Sequence, residues 1–242
     1  RLFGSVSLKL CRDGETAHAV SASELHGMQR CGESCTGEYG INSRWLELLY
    51  ENSRYVMVCS HGYSTARLGG IWIGNWLASW SGDHTVNANT NAQVSRLPTS
   101  PLPFLPVTYL TFILDYAQDW QENAERIHGI KNAIKAPART DGAGCGAFYS
   151  TPGGYPMIFW NSGAAWQLVP VFEYWECYGS RPVKVRYDLD MDRLKGLLEL
   201  TDERVLEIKR SGYFDIEKDI LRPLITKLMN FWYGFADGRF YT

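Results

Sequence analysis

The sequence predicts a mainly α-helical protein, and three features support this. Apolar residues recur three and four positions apart over four long segments, which is the spacing of one face of an α-helix. The alternation typical of a strand is short and confined to the first residues and to 183–187. The connections are long and rich in Gly, Ser, Trp and Asn. Together these features favour a toroid of paired helices with its loops gathered around a central cleft.

The helical segments have recognisable limits. Gly129 and Gly179 follow two of them and are stop signals. Pro170 lies inside the segment that Gly179 ends, Pro223 lies inside the last segment, and each should kink its helix. A charged stretch between the last two segments contains a further helical pattern. We expect helices over about 43–60, 107–128, 162–178, 191–209 and 214–235.

Composition excludes several classes of partner. The chain has 242 residues, a net charge of −2 and no long run of Lys and Arg, so we expect no nucleic-acid partner. The longest apolar stretch, 101–114, is interrupted by proline and is shorter than the roughly 20 residues that span a bilayer. The composition predicts an ordinary globular protein with a sizeable core, and it leaves the oligomeric state open.

Six cysteines are scattered through the chain and do not fix its redox compartment. His26, Cys31 and Cys35 are close in sequence, but a fourth ligand at a suitable spacing is missing, so ordinary thiols in a loop are the favoured interpretation. The sequence contains neither a nucleophile elbow nor a phosphate-binding glycine loop. We expect neither a metal nor a cofactor.

Aromatic residues are abundant, at 14% of the chain. Trp72, Trp76 and Trp80 follow one another at a spacing of four and could line one face. Aromatic faces suit the C–H faces of sugar rings, although large core residues between helices explain a high aromatic content equally well.

Three asparagines follow this tryptophan-rich stretch at alternate positions: Asn87, Asn89 and Asn91. In an extended backbone alternate side chains point the same way, so we expect the three amides to converge. Amides both donate and accept hydrogen bonds, as recognition of hydroxyl groups and positioning of a water require. A network of turns and caps remains an equally good interpretation of the same pattern.

The residues 83–90, Asp-His-Thr-Val-Asn-Ala-Asn-Thr, resemble the Asp-Tyr-Thr-Leu-Asn-Ile-Asn-Thr segment of the family 95 glycoside hydrolases. The residues 68–72, Leu-Gly-Gly-Ile-Trp, are similar to that family's Leu-Gln-Gly-Ile-Trp. Weaker similarities follow in the family's order at 2–8, 49–55, 136–141 and 163–166. The resemblance thus covers nearly the whole chain and is most specific around Asn87.

This resemblance implies an (α/α)6 barrel that hydrolyses terminal α-L-fucosides with inversion. In the family a Glu is the general acid, and an Asp acts through a pair of asparagines that hold the attacking water. Asn87 and Asn89 match that pair. The resemblance also implies a glycan substrate and a secreted or periplasmic location. Residues 1–40 would then lead into the catalytic region, and residues 41–242 would form the N-terminal part of a barrel that is only partly present.

The chain begins with Arg1 rather than Met, so we expect the natural start to lie upstream. Residues 237–242 resemble the segment that precedes the family's Ser-x-Ser-Pro-Glu motif. The general acid and the carboxylate partner are therefore expected beyond Thr242, and the chain alone is expected to be inactive.

The sequence departs from the family's pattern within the motif itself. Asn91 stands where the family has Glu, Gly69 replaces Gln, and Pro137 and Ala138 occupy positions where many members have His. These changes favour a divergent subgroup, with an α-L-galactoside as an alternative substrate. A non-catalytic helical carbohydrate-binding protein is the main alternative from another functional class.

Several further side chains are candidates for the cleft. Glu173 and Glu176 are better explained as solvated helix charges, and for His61 local hydrogen bonding is as good an explanation as a sugar contact. We expect the substrate to contact Trp72, Trp76, Asp83, His84, Asn91, Arg139, Asp141 and Trp166.

Overall fold

The structure is a computed structural model that describes residues 43–62, 64–69, 74, 76–77, 82–95, 102, 104–140, 160–184 and 188–233. The chain divides into two compact units, Arg1–Cys59 and Ser60–Thr242. The described part of the first unit is residues 43–59 of helix α1 (Ser43–Ser60), and the limits of this helix agree with the prediction. Within it the guanidinium of Arg54 donates to Glu51 at 3.0 Å and lies over the ring of Tyr50.

The second unit is mainly helical, as the sequence predicts. Among the described residues no helix is both long and apolar enough to cross a bilayer. The elements in chain order are α2 (Asn89–Val94), α3 (Phe104–His128), α4 (Gly163–Tyr178), β1 (Pro182–Lys184), α5 (Met191–Leu198), α6 (Asp202–Ser211), β2 (Tyr213–Asp215), a π-helical segment (Ile216–Leu221) and α7 (Arg222–Tyr233).

Among the described elements of this unit, helix α3 is the longest and supplies much of the core. Its inward residues recur three and four positions apart, so that one continuous face is removed from water. This face packs against α4 and α5. The helix begins three residues before its predicted start and ends where Gly129, at φ 68°, takes the left-handed conformation. The buried residues of the face are Tyr109, Phe112, Ile113, Tyr116, Ala117, Trp120 and Ala124.

Helix α4 begins at a close approach to the loop after α3. A Cβ atom on Gly163 would lie 2.6 Å from the backbone oxygen of Ala136, so only glycine fits there. The helix ends at Gly179, which has a φ of 66°, and both limits agree with the prediction. Pro170 lies inside the helix, as the sequence predicts.

The single helix predicted over 191–209 is wrong, because the chain forms two helices there. Glu199 takes the left-handed conformation, with a φ of 56°, and ends α5. The hydroxyl of Thr201 then accepts a hydrogen bond from the backbone N–H of Arg204 at 3.1 Å and caps α6. Apolar residues keep a helical spacing on both sides of Glu199, so this spacing alone does not reveal the break.

The helix predicted from residue 214 begins eight residues later than expected as regular α-helix. Phe214 instead pairs with Val183 in a short antiparallel sheet, and both side chains are buried. The predicted strand 183–187 is confirmed in its first part by β1, and 185–187 lie outside the described residues. Pro223 is the second residue of α7, in the first turn of the α-helix, where a proline is tolerated.

Lys227 of α7 joins two connections that are far apart in sequence. Its side chain is fully buried, and its ammonium group binds Glu199 at 2.9 Å and the side chain of Asn132. Asn132 and Glu199 are the non-glycine residues with positive φ in the described ranges. Lys227 therefore stabilises two backbone conformations that L-residues seldom adopt.

Candidate functional site

The residues 83–91, here called the asparagine segment, lie against the residues 136–140, here called the facing segment. His84 and Thr140 exchange two backbone hydrogen bonds, of 2.9 and 3.0 Å. The backbone N–H of Asn87 donates to the oxygen of Ala138 at 3.0 Å. These three bonds fix the start of the asparagine segment in a defined register.

A buried ion pair reinforces this register. Arg139 of the facing segment binds the carboxylate of Asp83, and each residue is only 8% exposed. Thr85 donates its hydroxyl to the same carboxylate at 3.1 Å. A buried ion pair is stable only when its geometry and hydrogen bonds compensate for desolvation, and here both partners are held by neighbouring backbone.

The side chain of His84, within the asparagine segment, packs against α3. It is buried, and its ring centroid is 4.9 Å from that of Phe112 and 6.2 Å from that of Tyr116. Both aromatic residues belong to α3. The segment therefore rests on the core helix of this unit.

The far end of the asparagine segment is held by a network of amides. Asn91 donates to the backbone oxygen of Trp166 at 2.6 Å and accepts from the Nε2 of Gln167 at 3.0 Å. Gln167 also donates to the backbone oxygen of Val86. The hydroxyl of Tyr109 lies 3.0 Å from the Oε1 of Gln167, and burial raises the pKa of Tyr109 well above its usual value. The network joins α3 and α4 to the asparagine segment.

The expectation that the three asparagines converge from an extended backbone is wrong. Asn89 and Asn91 belong to α2, and helical residues two apart lie on different sides, at about 100° of rotation per residue. Asn89 is exposed, whereas Asn91 is buried and both ends of its carboxamide are bonded within the protein. Asn87 lies in the turn before α2 and is partly buried.

The carboxamide oxygen of Asn87 differs from that of Asn91, which accepts a hydrogen bond from Gln167. It is buried, and no donor in the described part of the chain gives it a hydrogen bond. The backbone N–H of the same residue is bonded to Ala138. The side chain of Asn87 therefore starts from a fixed backbone and retains a buried acceptor.

The other candidate residues differ in their exposure to solvent, and some of them lie outside the described residues. The side chain of Trp76 is fully exposed, and Trp166 is partly exposed on α4 while its backbone oxygen supports Asn91. His61 is buried. Glu173 is partly buried and Glu176 is exposed on α4. The remaining candidates Trp72, Trp80, Asp141, His26, Cys31 and Cys35 lie outside the described residues.

Sequence reasoning missed Gln167 and Tyr109. A signal for Gln167 was present, since it is a polar residue in the otherwise apolar run of α4 from Ala164 to Phe172. Its contacts with Val86 and Asn91, more than 70 positions away along the chain, could not be inferred. Within the described ranges no group of three or more His, Cys, Asp or Glu side chains is placed to hold a metal ion.

Comparison with known proteins identifies the family. The model of the glycosyl hydrolase family 95 catalytic domain matches residues 1–210, which is most of the chain and includes both the asparagine segment and the facing segment. No curated protein and no solved structure matches the chain. The match implies a glycan substrate, and it assigns the helical fold to a family of α/α toroids. The chain therefore belongs to glycosyl hydrolase family 95, and it carries catalytic-domain sequence of a glycoside hydrolase.

Proposed function

We propose that the full-length protein hydrolyses terminal α-L-fucosides with inversion, and that Asn87 and Asn89 hold the attacking water. Family membership supports glycoside hydrolysis in general. The choice of L-fucose rests on the resemblance of the asparagine segment to the family's Asp-Tyr-Thr-Leu-Asn-Ile-Asn-Thr sequence. The role of the two asparagines rests on the same resemblance.

One observation carries the proposal, namely the buried acceptor on Asn87. A buried carbonyl oxygen without a donor costs about 1–3 kcal/mol, so such a group calls for a hydrogen-bonding ligand. A water molecule supplies that donor. Its oxygen then keeps lone pairs free for attack on a sugar carbon.

Asn89 can complement this role because it is exposed at the first residue of α2. A carboxamide both donates and accepts, so that one group can contact a water or a sugar hydroxyl. The fixed backbone of Asn87 and the accessible side chain of Asn89 together favour a water-positioning pair over a purely structural turn.

Hydrolysis with inversion requires a defined arrangement of the attacking water and two carboxyl groups. In inversion, the water oxygen forms a bond to the anomeric carbon on the face opposite the bond that breaks. The departing oxygen receives a proton from a carboxylic acid, and a carboxylate takes the proton of the water, the two groups being roughly 6.5–9.5 Å apart. Because an asparagine is a poor base, its contribution is to orient the water for a carboxylate that acts through it.

An α-L-galactoside is the second candidate substrate. It shares the ring configuration of L-fucose and carries one additional hydroxyl group. Asn91, which stands where the family has Glu, is engaged in bonds within the protein. This replacement of Glu by Asn91, close to the proposed pair, is a reason to test both sugars.

The test measures release of L-fucose by the full-length protein from a 2-linked fucosylated oligosaccharide, with the matching L-galactoside in parallel. We expect release of L-fucose, and a fall in kcat of at least about 100-fold in both Asn87→Ala and Asn89→Ala, since positioned proton transfer contributes about 10²–10⁴-fold. Binding without release would favour a carbohydrate-binding protein. Full activity in Asn87→Ala would refute the water-positioning role.

A further inference from the structure

Gln167 is a buried polar residue whose side-chain nitrogen makes both of its hydrogen bonds to the asparagine segment. It is 0% exposed, and its Nε2 atom donates both to the backbone oxygen of Val86 and to the Oδ1 of Asn91. The hydroxyl of Tyr109 lies 2.8 Å from the backbone oxygen of Gln167 and 3.0 Å from its Oε1 atom, and its one proton is shared between these two acceptors. The carboxamide can therefore adopt only one orientation, with oxygen toward α3 and nitrogen toward the asparagine segment.

The bond to Val86 fixes the peptide unit that leads into Asn87. That unit consists of the carbonyl of Val86 and the N–H of Asn87. The carbonyl accepts from Gln167 of α4, and the N–H donates to Ala138 of the facing segment at 3.0 Å. With both polar groups of the peptide bonded from opposite sides, rotation of this plane is blocked, and the Cα–Cβ direction of Asn87 is set.

The second bond fixes the other end of the segment. Asn91 is bonded to Gln167 and to the backbone oxygen of Trp166, so that two successive residues of α4 hold it. The turn between Val86 and Asn91, which contains Asn87 and Asn89, is thus anchored at both ends to one helix.

We propose that Gln167 is a positioning residue for the hydrolytic reaction, which holds the turn of Asn87 and Asn89 in the geometry that the attacking water needs. This inference rests on the proposed function of the asparagine pair. Gln167 touches neither the water nor the sugar in this account, and it acts through the Val86–Asn87 peptide and through Asn91.

The first test is a double-variant cycle in the full-length protein, with L-fucose release as the assay. Gln167→Met keeps the length of the side chain and removes its donors. We expect kcat to fall about 10- to 100-fold while KM changes less than about threefold, since misplacement of a reacting group by about 1 Å can cost about 10²-fold in rate. In an Asn87→Ala, Asn89→Ala background the same substitution should change kcat less than about threefold, because both side chains that Gln167 positions are already lost.

Asn230→Leu is the matched control for a loss of stability alone. Asn230 is also fully buried, and it donates a hydrogen bond of 2.8 Å to the backbone oxygen of Asn132. Asn132 is also bound by Lys227 and lies outside the asparagine segment. This variant should lower the melting temperature as Gln167→Met does, yet leave kcat of the folded protein unchanged. An equal fall in kcat in both variants would overturn the proposal.

A second variant, Gln167→Glu, tests the role without a change of shape. Its carboxylate would face the oxygens of Val86 and Asn91, whereas its neutral acid can donate one hydrogen bond, and burial raises the pKa of such a carboxyl. We expect the ratio of its kcat to that of the unaltered protein to rise as the pH falls. A ratio that does not vary with pH, or a kcat equal to that of the unaltered protein, would overturn the proposal.

The proposed function and the positioning role of Gln167 can be refuted separately. If Asn87→Ala abolishes release of L-fucose and Gln167→Met does not lower kcat, the positioning role alone is refuted. If the unaltered protein releases no L-fucose, or if Asn87→Ala remains fully active, the proposed function fails and the inference about Gln167 fails with it.

Discussion

At the scale of single residues, the asparagine segment depends on groups that are bonded to each other and buried. The ion pair of Asp83 with Arg139 joins its first residue to the facing segment, and Thr85 completes the bonds of the carboxylate. Removal of one member of a buried pair leaves an uncompensated charge, which costs far more than the loss of an exposed pair.

We expect Arg139→Met to reduce the free energy of unfolding by about 3–5 kcal/mol, because the buried carboxyl group of Asp83 would lose its compensating cation. Adding Asp83→Asn should restore much of this loss, since the amide still accepts from Thr85 without a charge. Chemical denaturation of the full-length protein measures both effects.

Arg126→Met is the control for that experiment. Arg126 pairs with Glu122 four residues earlier on α3, and both side chains are well exposed. Its removal should cost less than about 1 kcal/mol. A loss of similar size in Arg126→Met and Arg139→Met would show that the buried pair has no special role.

The sequence predicted several of these residues but not their relations. Asn87, Asp83 and Arg139 were identified as site candidates from the motif and from their neighbours. Gln167 was not, because its importance arises from bonds to Val86 and Asn91 across the fold. The helical backbone at Asn89 and Asn91 was also missed, since alternating asparagines fit an extended segment equally well.

At the scale of elements, the position of α4 decides where Gln167 lies. The first residue of this helix, Gly163, is in close contact with the backbone oxygen of Ala136, the first residue of the facing segment. Helix α4 and the facing segment can therefore both hold the asparagine segment only because the helix begins with glycine.

We expect Gly163→Ala to destabilise the protein by about 1–3 kcal/mol, because the added methyl group would meet a backbone oxygen that has little room to move. Gly196→Ala within α5 should stabilise it by about 0.5–1 kcal/mol, since nothing lies within 4 Å of the added atom and alanine favours the helix. Melting temperatures of the two variants test this pair. Equal shifts in the same direction would contradict the close contact at Gly163.

The sequence predicts the long helices better than the short elements. Helices α1, α3 and α4 have long apolar faces and glycines or polar residues at their ends, and their limits were found closely. The break at Glu199 is supported by a salt bridge with the distant Lys227, which no local pattern shows, whereas Thr201 before Asp202 and Glu203 is a local helix-start signal. The strand at Phe214 depends likewise on its pairing with Val183.

At the scale of the whole molecule, a mainly helical fold and the family match support one another. Motif spacing was enough to identify the family, because the asparagine segment combines several unusual residues in a short distance. The identity of the sugar was not settled in this way, since the sequence departs from the family's pattern beside the asparagine pair.

The most direct measurement is the anomeric configuration of the first product. Proton NMR of a reaction started with a large amount of full-length protein and a terminal α-L-fucoside shows which anomer forms before mutarotation. A water held opposite the leaving group predicts β-L-fucose first, with the α anomer rising later. Initial release of α-L-fucose would contradict the account, because retention requires a covalent intermediate in place of direct attack by a water held at Asn87.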